Sequence, residues 1–129
     1  MVAVTPPPYT VPGVQAAFRA ETRIPLVKVP SATTSQLTTL GTRPMATKRF
    51  GSFELYVIRP RFARATIRAL VGSDRPDARG IYWEPDQNAG VTAISVFAPN
   101  LVVNWFPPGG RHRVNAAWAR LAAAVRRLR

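Results

Sequence analysis

Arg61, Arg64 and Arg68 follow one another at intervals of three and four residues, and Arg113, Arg120 and Arg127 at intervals of seven. At about 100° per residue, both spacings line side chains up along one side of a helix. Guanidinium groups in such a row present forked donors that match phosphate and carboxylate oxygens. Arg111, Arg126 and Arg129 extend the second row, and from Arg111 onward there are six arginines, one histidine and no acid. Gly80–Gly110, by contrast, has no basic residue and carries Glu84 and Asp86. Segregated charge of this kind is the footprint of a polyanion-binding protein. Arg61, Arg64, Arg68, Arg111, Arg113, Arg120 and Arg127 are therefore the candidate nucleic-acid or polyanion contacts. Such contacts give affinity without reading base sequence. The same rows also suit an acidic protein surface, or plain solvated helix faces.

The bulk charge points the same way. Eighteen Lys and Arg against six Asp and Glu give +12, and only Lys28 and Lys48 are lysines. A GC-rich coding bias explains arginine over lysine but not the shortage of acids. A charge this high repels itself unless a polyanion or a neighbouring subunit neutralises it.

Catalytic constellations are thin. His112 is the only histidine, and a carboxylate partner for it would come from Glu84 or Asp86. Asp74 and Asp77 sit in Ser73-Asp74-Arg75-Pro76-Asp77, where turn formation and pairing with Arg75 and Arg79 account for them. There is no phosphate-binding glycine loop, no Ser-His-Asp order and no His-x-x-x-His. Gly109-Gly110 ahead of a helix presents amides to an anion, a weak signal alone. With no cysteine there is no disulfide, thiolate metal site or cysteine nucleophile. The expectation is a protein that is not an enzyme and has no metal or cofactor.

The elements that must position these residues follow from periodicity and breakers. Residues 1–44 hold seven of the 13 prolines and read as an extended arm. A short helical turn fits Val14–Glu21, Ile24–Val29 suits an extended segment with apolar side chains on both faces, and Ser31–Thr39 reads as loop. Residues 45–129 read as one compact domain. Phe53–Ile58 is a strand. Pro60 and Gly72 bracket a helix whose apolar face is Phe62, Ala63, Thr66, Ile67 and Leu70. Ser73–Arg79 is a polar loop, Gly80–Glu84 a short strand and Pro85–Gly90 a turn. Val91–Phe97 and Leu101–Phe106 are strands joined through Ala98-Pro99-Asn100. After the break Pro107-Pro108-Gly109-Gly110, a helix carries Val114, Trp118, Leu121, Val125 and Leu128 as its apolar seam.

The resulting class is α+β, a β-α-β-β-β-α domain with helices packed on one face of an antiparallel sheet. With both helices on that face, the two Arg rows form one basic surface. Tyr82 and Trp83 are adjacent and so point to opposite faces of their strand. An aromatic sheet face, including Trp105 or Phe106, either stacks bases or is covered, and the Pro-rich arm is the obvious cover.

The order α-β-β-β-α over Pro60–Arg129 is similar to that of double-stranded-RNA-binding domains. Gly110-Arg111-His112-Arg113 ahead of Asn115-Ala116-Ala117 is similar in kind to the basic start of that family's last helix. The bulky Leu101–Phe106, the loop after the first strand and the extra leading strand depart from it, so the likeness is one of element order.

The sequence thus leads to a non-enzymatic binding or assembly protein. Its Arg rows contact nucleic acid or another polyanion, and residues 1–44 tether it to a protein partner or neighbouring subunit. One alternative is a structural subunit of a virion or multiprotein complex whose arm links its neighbours, with homo-oligomerisation open. A second is a small enzyme using His112 with a carboxylate. The longest apolar runs fall short of the roughly 20 residues of a membrane span. Met1–Gly13 lacks the layout of a secretory signal, and the prolines argue against a transit peptide. The expected location is the cytoplasm or a virion or other large assembly.

Overall fold

A computed structural model describes residues 7–42, 51–86, 90–97, 99–107 and 116–127. Helix α1 (Val11–Thr22) leads, followed by β1 (Leu26–Lys28), a 3-10 turn at Pro30–Ala32, and β2 (Leu37–Thr42). Then come β3 (Ser52–Ile58), α2 (Pro60–Val71), β4 (Ile81–Asp86), β5 (Gly90–Phe97), β6 (Leu101–Phe106) and α3 (Ala116–Arg126). The six strands form one sheet in the order β1-β2-β3-β6-β5-β4, with every neighbouring pair antiparallel. The α+β class and the antiparallel sheet are as the sequence implies.

Strand alternation divides the apolar side chains between two faces. Phe53, Leu55 and Val57 of β3 join Leu101, Val103 and Trp105 of β6, and Val14 and Phe18 of α1 close over them, with Val125 of α3 beside them. The aromatic rings there are in contact. Phe18 meets Phe53 edge-on at 5.2 Å, and Phe53 stacks on Trp105 at 6.2 Å. On the other face Ile58, Val102 and Ile94 meet Ala63, Phe62, Ile67 and Leu70 of α2. Helices α1 and α3 therefore share one face, but α2 covers the opposite one, so the expected single helical layer is corrected to two. The physical reason lies in β3 and β6, whose apolar residues point both ways and require cover on both sides.

The extended arm expected over residues 1–44 is corrected as well. Residues 11–42 form α1, β1 and β2, and β2 pairs with β3 from Leu37↔Ile58 to Gly41↔Glu54. The prolines sit where elements begin rather than inside them. Pro12 lies in the first turn of α1, Pro25 immediately precedes β1, and Pro30 opens the 3-10 turn. Thr10 caps α1 by accepting from the Gly13 N–H at 3.2 Å. The helix ends at Arg23 in the left-handed region, φ 63, with its N–H donated to the Arg19 carbonyl. Residues 1–6 and 43–44 of the expected arm lie outside the described residues.

Several sequence expectations hold closely. Helix α2 runs from Pro60 to the residue before Gly72, whose positive φ of 56 suits glycine. Gly80 has φ 80, so β4 begins at Ile81 rather than at Gly80. Pro85 and Asp86 continue β4 instead of forming the turn. Proline is tolerated there because β4 is the sheet's edge. Val114 and Leu128 of the last helix, and the side chains of Trp118 and Leu121, lie outside the described residues.

One buried side chain ties distant parts together. Asn100, 1% exposed in the turn between β5 and β6, accepts from the Tyr9 N–H at 2.7 Å. Its Nδ2 donates to the Tyr9 carbonyl at 3.0 Å and to the Ile58 carbonyl at 2.7 Å. The Ile58 N–H in turn donates to the Asn100 carbonyl at 2.9 Å. Replacing Asn100 by Leu strands these backbone groups away from water, and is expected to lower stability by about 2–4 kcal/mol. Urea unfolding reads that loss, and limited proteolysis reads the expected release of the chain around Tyr9.

Candidate polyanion-binding surfaces

Helix α2 turns its apolar side to the sheet and leaves Arg61, Arg64 and Arg68 exposed on its outer side. At about 1.5 Å rise per residue the three span about 10 Å along the helix. Ala65 and Ala69 line the same open surface beside them. The Arg61 guanidinium rests 4.8 Å from the Phe62 ring centroid, a cation–π contact that steadies it. Helix α2 contains no acid, and among the described residues none of the three arginines forms an ion pair.

The second row is arranged differently. Arg120 of α3 and Arg127, the residue just after that helix, both reach Glu21 of α1, Arg120 at 3.9 Å and Arg127 in a direct hydrogen bond. Both arginine side chains remain more than half exposed, at 55% and 60%, while the Glu21 side chain is 13% exposed. The pair thus joins α3 to α1 and still presents positive charge outward. Arg111 and Arg113, with His112, lie outside the described residues. Because α2 and α3 are on opposite sides of the sheet, the two Arg rows do not merge into one surface.

Sequence reasoning missed a third group. Arg19 and Arg23, with Ala16 and Ala20, line one surface of α1. Their i, i+3, i+4, i+7 spacing is the signal that could have found them. It carried little weight in a segment read as a proline-rich arm with a helix ending at Glu21.

Among the described residues several acids have close partners. The Asp77 carboxylate accepts from the Arg79 and Ile81 N–H groups at 2.8 and 3.1 Å, and from Trp83 Nε1 at 2.8 Å. Its other partner is the Arg79 guanidinium at 3.2 Å. Desolvation pushes the Asp77 pKa upward, but these four donors outweigh it and hold the carboxyl at about 2. Glu84 is raised above the ordinary carboxyl range by burial and by the neighbouring Asp74 carboxyl. Glu54 accepts from the Tyr56 hydroxyl at 2.5 Å. Burial first, then this acid, pushes the Tyr56 phenol up to about 12, with Asn104 acting in the opposite direction. Among the described residues no three His, Cys, Asp or Glu side chains come together as a metal site.

The aromatic residues are positioned by the same alternation. Trp83 packs with Trp105 under α1 while Tyr82 lies on the α2 face, so the two point opposite ways as expected. Trp105 is fully buried, and part of its cover is the segment read as an arm. Tyr82, half-buried, joins Ala63, Ile67, Val71 and Pro99 in lining a groove beside α2, with Arg64 and Arg68 on its rim.

Compared with known protein families, curated proteins and solved structures, the chain matches none. Among the described residues no helix is long and apolar enough to cross a membrane.

Asp77 supplies a pH test of the loop that leads into β4. Its folded pKa lies below its unfolded value, so its contribution is present above about pH 4 and is lost as pH falls toward 2. Asp77→Asn is expected to destabilise the protein by about 1–2 kcal/mol at neutral pH. The difference between variant and parent should shrink as the pH of the denaturation series falls from 4 to 2.

Proposed function

We propose that this chain is a non-enzymatic binding and assembly protein that holds nucleic acid or another polyanion on arginine-bearing helix faces, α2 foremost. The observation that carries this reading is the outer side of α2. Three exposed arginines are aligned there without an acid on the helix or an ion pair among the described residues. Glu21 and Asp77 are engaged by other arginines, and the acid that shares a groove with Arg64 and Arg68 is Asp74, so the row keeps a surplus of positive charge. Arginines in this setting neutralise phosphates and release counterions, which drives binding and makes it depend steeply on salt.

The alternative in which an N-terminal arm links neighbouring subunits has less support. Residues 9–42 make their hydrogen bonds and strand pairs within their own chain. A polyanion-holding role fits the cytoplasm, or a virion or other large assembly in which nucleic acid is at hand.

Binding to a labelled nucleic-acid duplex, followed by fluorescence anisotropy across a salt series, tests the proposal. Wild type should lose affinity log-linearly with salt. Arg61→Ala, Arg64→Ala and Arg68→Ala combined should weaken binding about tenfold or more and flatten the slope by about 3, close to 0.9 per lost contact. Binding that ignores salt, or is unchanged in the triple variant, overturns the reading.

A further inference from the structure

The arginine surfaces of this chain lie on opposite sides of the sheet. Arg61, Arg64 and Arg68 are exposed on α2, which packs against the face bearing Ile58, Ile94 and Val102. Arg19 of α1, Arg23 at its C-terminal cap and Arg126 of α3 are exposed, and these two helices cover the face bearing Phe53, Leu55 and Trp105. Arg120 and Arg127 add to the second side, where Glu21 is their common partner. Helices α1 and α3, with the adjoining Arg23 and Arg127, thus carry five arginines and one glutamate. With a helix about 10–12 Å thick on each side of the sheet, the two outward surfaces are roughly 30 Å apart.

We infer that the chain is bivalent and bridges two segments of nucleic-acid duplex, one on α2 and one on the α1–α3 side. The inference rests on the polyanion-binding reading and extends it from holding to cross-linking. The mechanics favour two segments over one. A duplex has a persistence length of about 50 nm, so a short one does not fold around a body this small to reach both sides. The α2 arginines form a row, which suits a rod laid across it, and the α1–α3 side spreads its arginines over two adjacent helices, a broad surface on which a rod can also lie. A bridging protein with contacts only to backbone phosphates draws duplexes together without sequence preference. Two opposed surfaces also relieve the repulsion of a +12 chain on both sides at once.

The test is a sandwich capture. A biotinylated DNA duplex of about 20 base pairs, too short to bend round the protein, is fixed to beads and loaded with protein at low salt. A second, fluorescent duplex is then added. Wild type should retain the second duplex. The combined alanine variants of Arg61, Arg64 and Arg68, or of Arg19, Arg23 and Arg126, each keep one surface and are loaded at concentrations raised until the bead-bound protein equals that of wild type. Each should lose about fivefold or more of the second. All six side chains are exposed, and circular dichroism confirms that each variant is folded. Wild type that binds the first duplex and never captures the second overturns bridging while leaving the single-surface function intact. Unchanged capture by the Arg19, Arg23 and Arg126 variant also overturns it. Failure of wild type to bind even the first duplex removes the polyanion-binding reading itself.

Discussion

Asn100 joins three stretches of chain that are far apart in sequence. It sits in the turn between β5 and β6, and its amide satisfies both backbone groups of Tyr9 and the carbonyl of Ile58. Only a side chain with a donor and an acceptor on one planar amide does this at a single buried point. The contact fixes where the chain enters α1, one residue beyond Thr10, and where β3 hands over to α2. Both helices are aimed from that point, α1 to one face of the sheet and α2 to the other. The apolar layers then follow from alternation along β3 and β6.

Once the helices are on opposite faces, the electrostatics are settled to a large extent. Each helix buries an apolar side and turns its polar side out, and in this chain the polar sides are rich in arginine. The sheet between them contributes Glu54, Glu84 and Asp86, three acids against the many arginines of the helices. Glu54 is committed to the Tyr56 hydroxyl, and Glu84 shares its neighbourhood with Asp74. The acid that meets α3 across the α1 seam, Glu21, holds two arginines in place without quenching their outward exposure. Surface pairs of this kind add little to stability. Their consequence here is geometric, because they fix guanidinium groups on the protein's outside.

Much of this was legible in the sequence, and the failures have physical causes. The bounds of α2 were readable from Pro60 and Gly72 because each breaker acts within a residue or two of its own position. The strands β3, β5 and β6 were readable as unbroken β-branched and aromatic runs. The N-terminal third was misread because proline density was taken as proof of extension. Proline excludes only helix and strand interiors, and here each of Pro12, Pro25 and Pro30 marks a beginning. The placement of α2 against α1 and α3 was not readable from the helices themselves, since an amphipathic pattern shows that a helix has a buried side and not which sheet face it meets. The strands held that information, in Ile58 and Val102 pointing one way and Leu55 and Val103 the other. The Glu21 pairing with Arg127 spans 106 residues and has no local trace.

The candidate site shows the same division. Arg61, Arg64 and Arg68 were legible because their exposure follows from one helix and its apolar side alone. Arg120 and Arg127 were legible as a row but not in their surroundings, which depend on a helix from the other end of the chain. Arg19 and Arg23 became visible only with α1. What sets their usefulness is position, and position here comes from a sheet with apolar residues on both sides. A sheet with one polar face would have gathered the helices, and the arginines, onto one side. The double-faced core instead divides the positive charge between two outward surfaces, and that division is a property of the fold before it is a property of any partner.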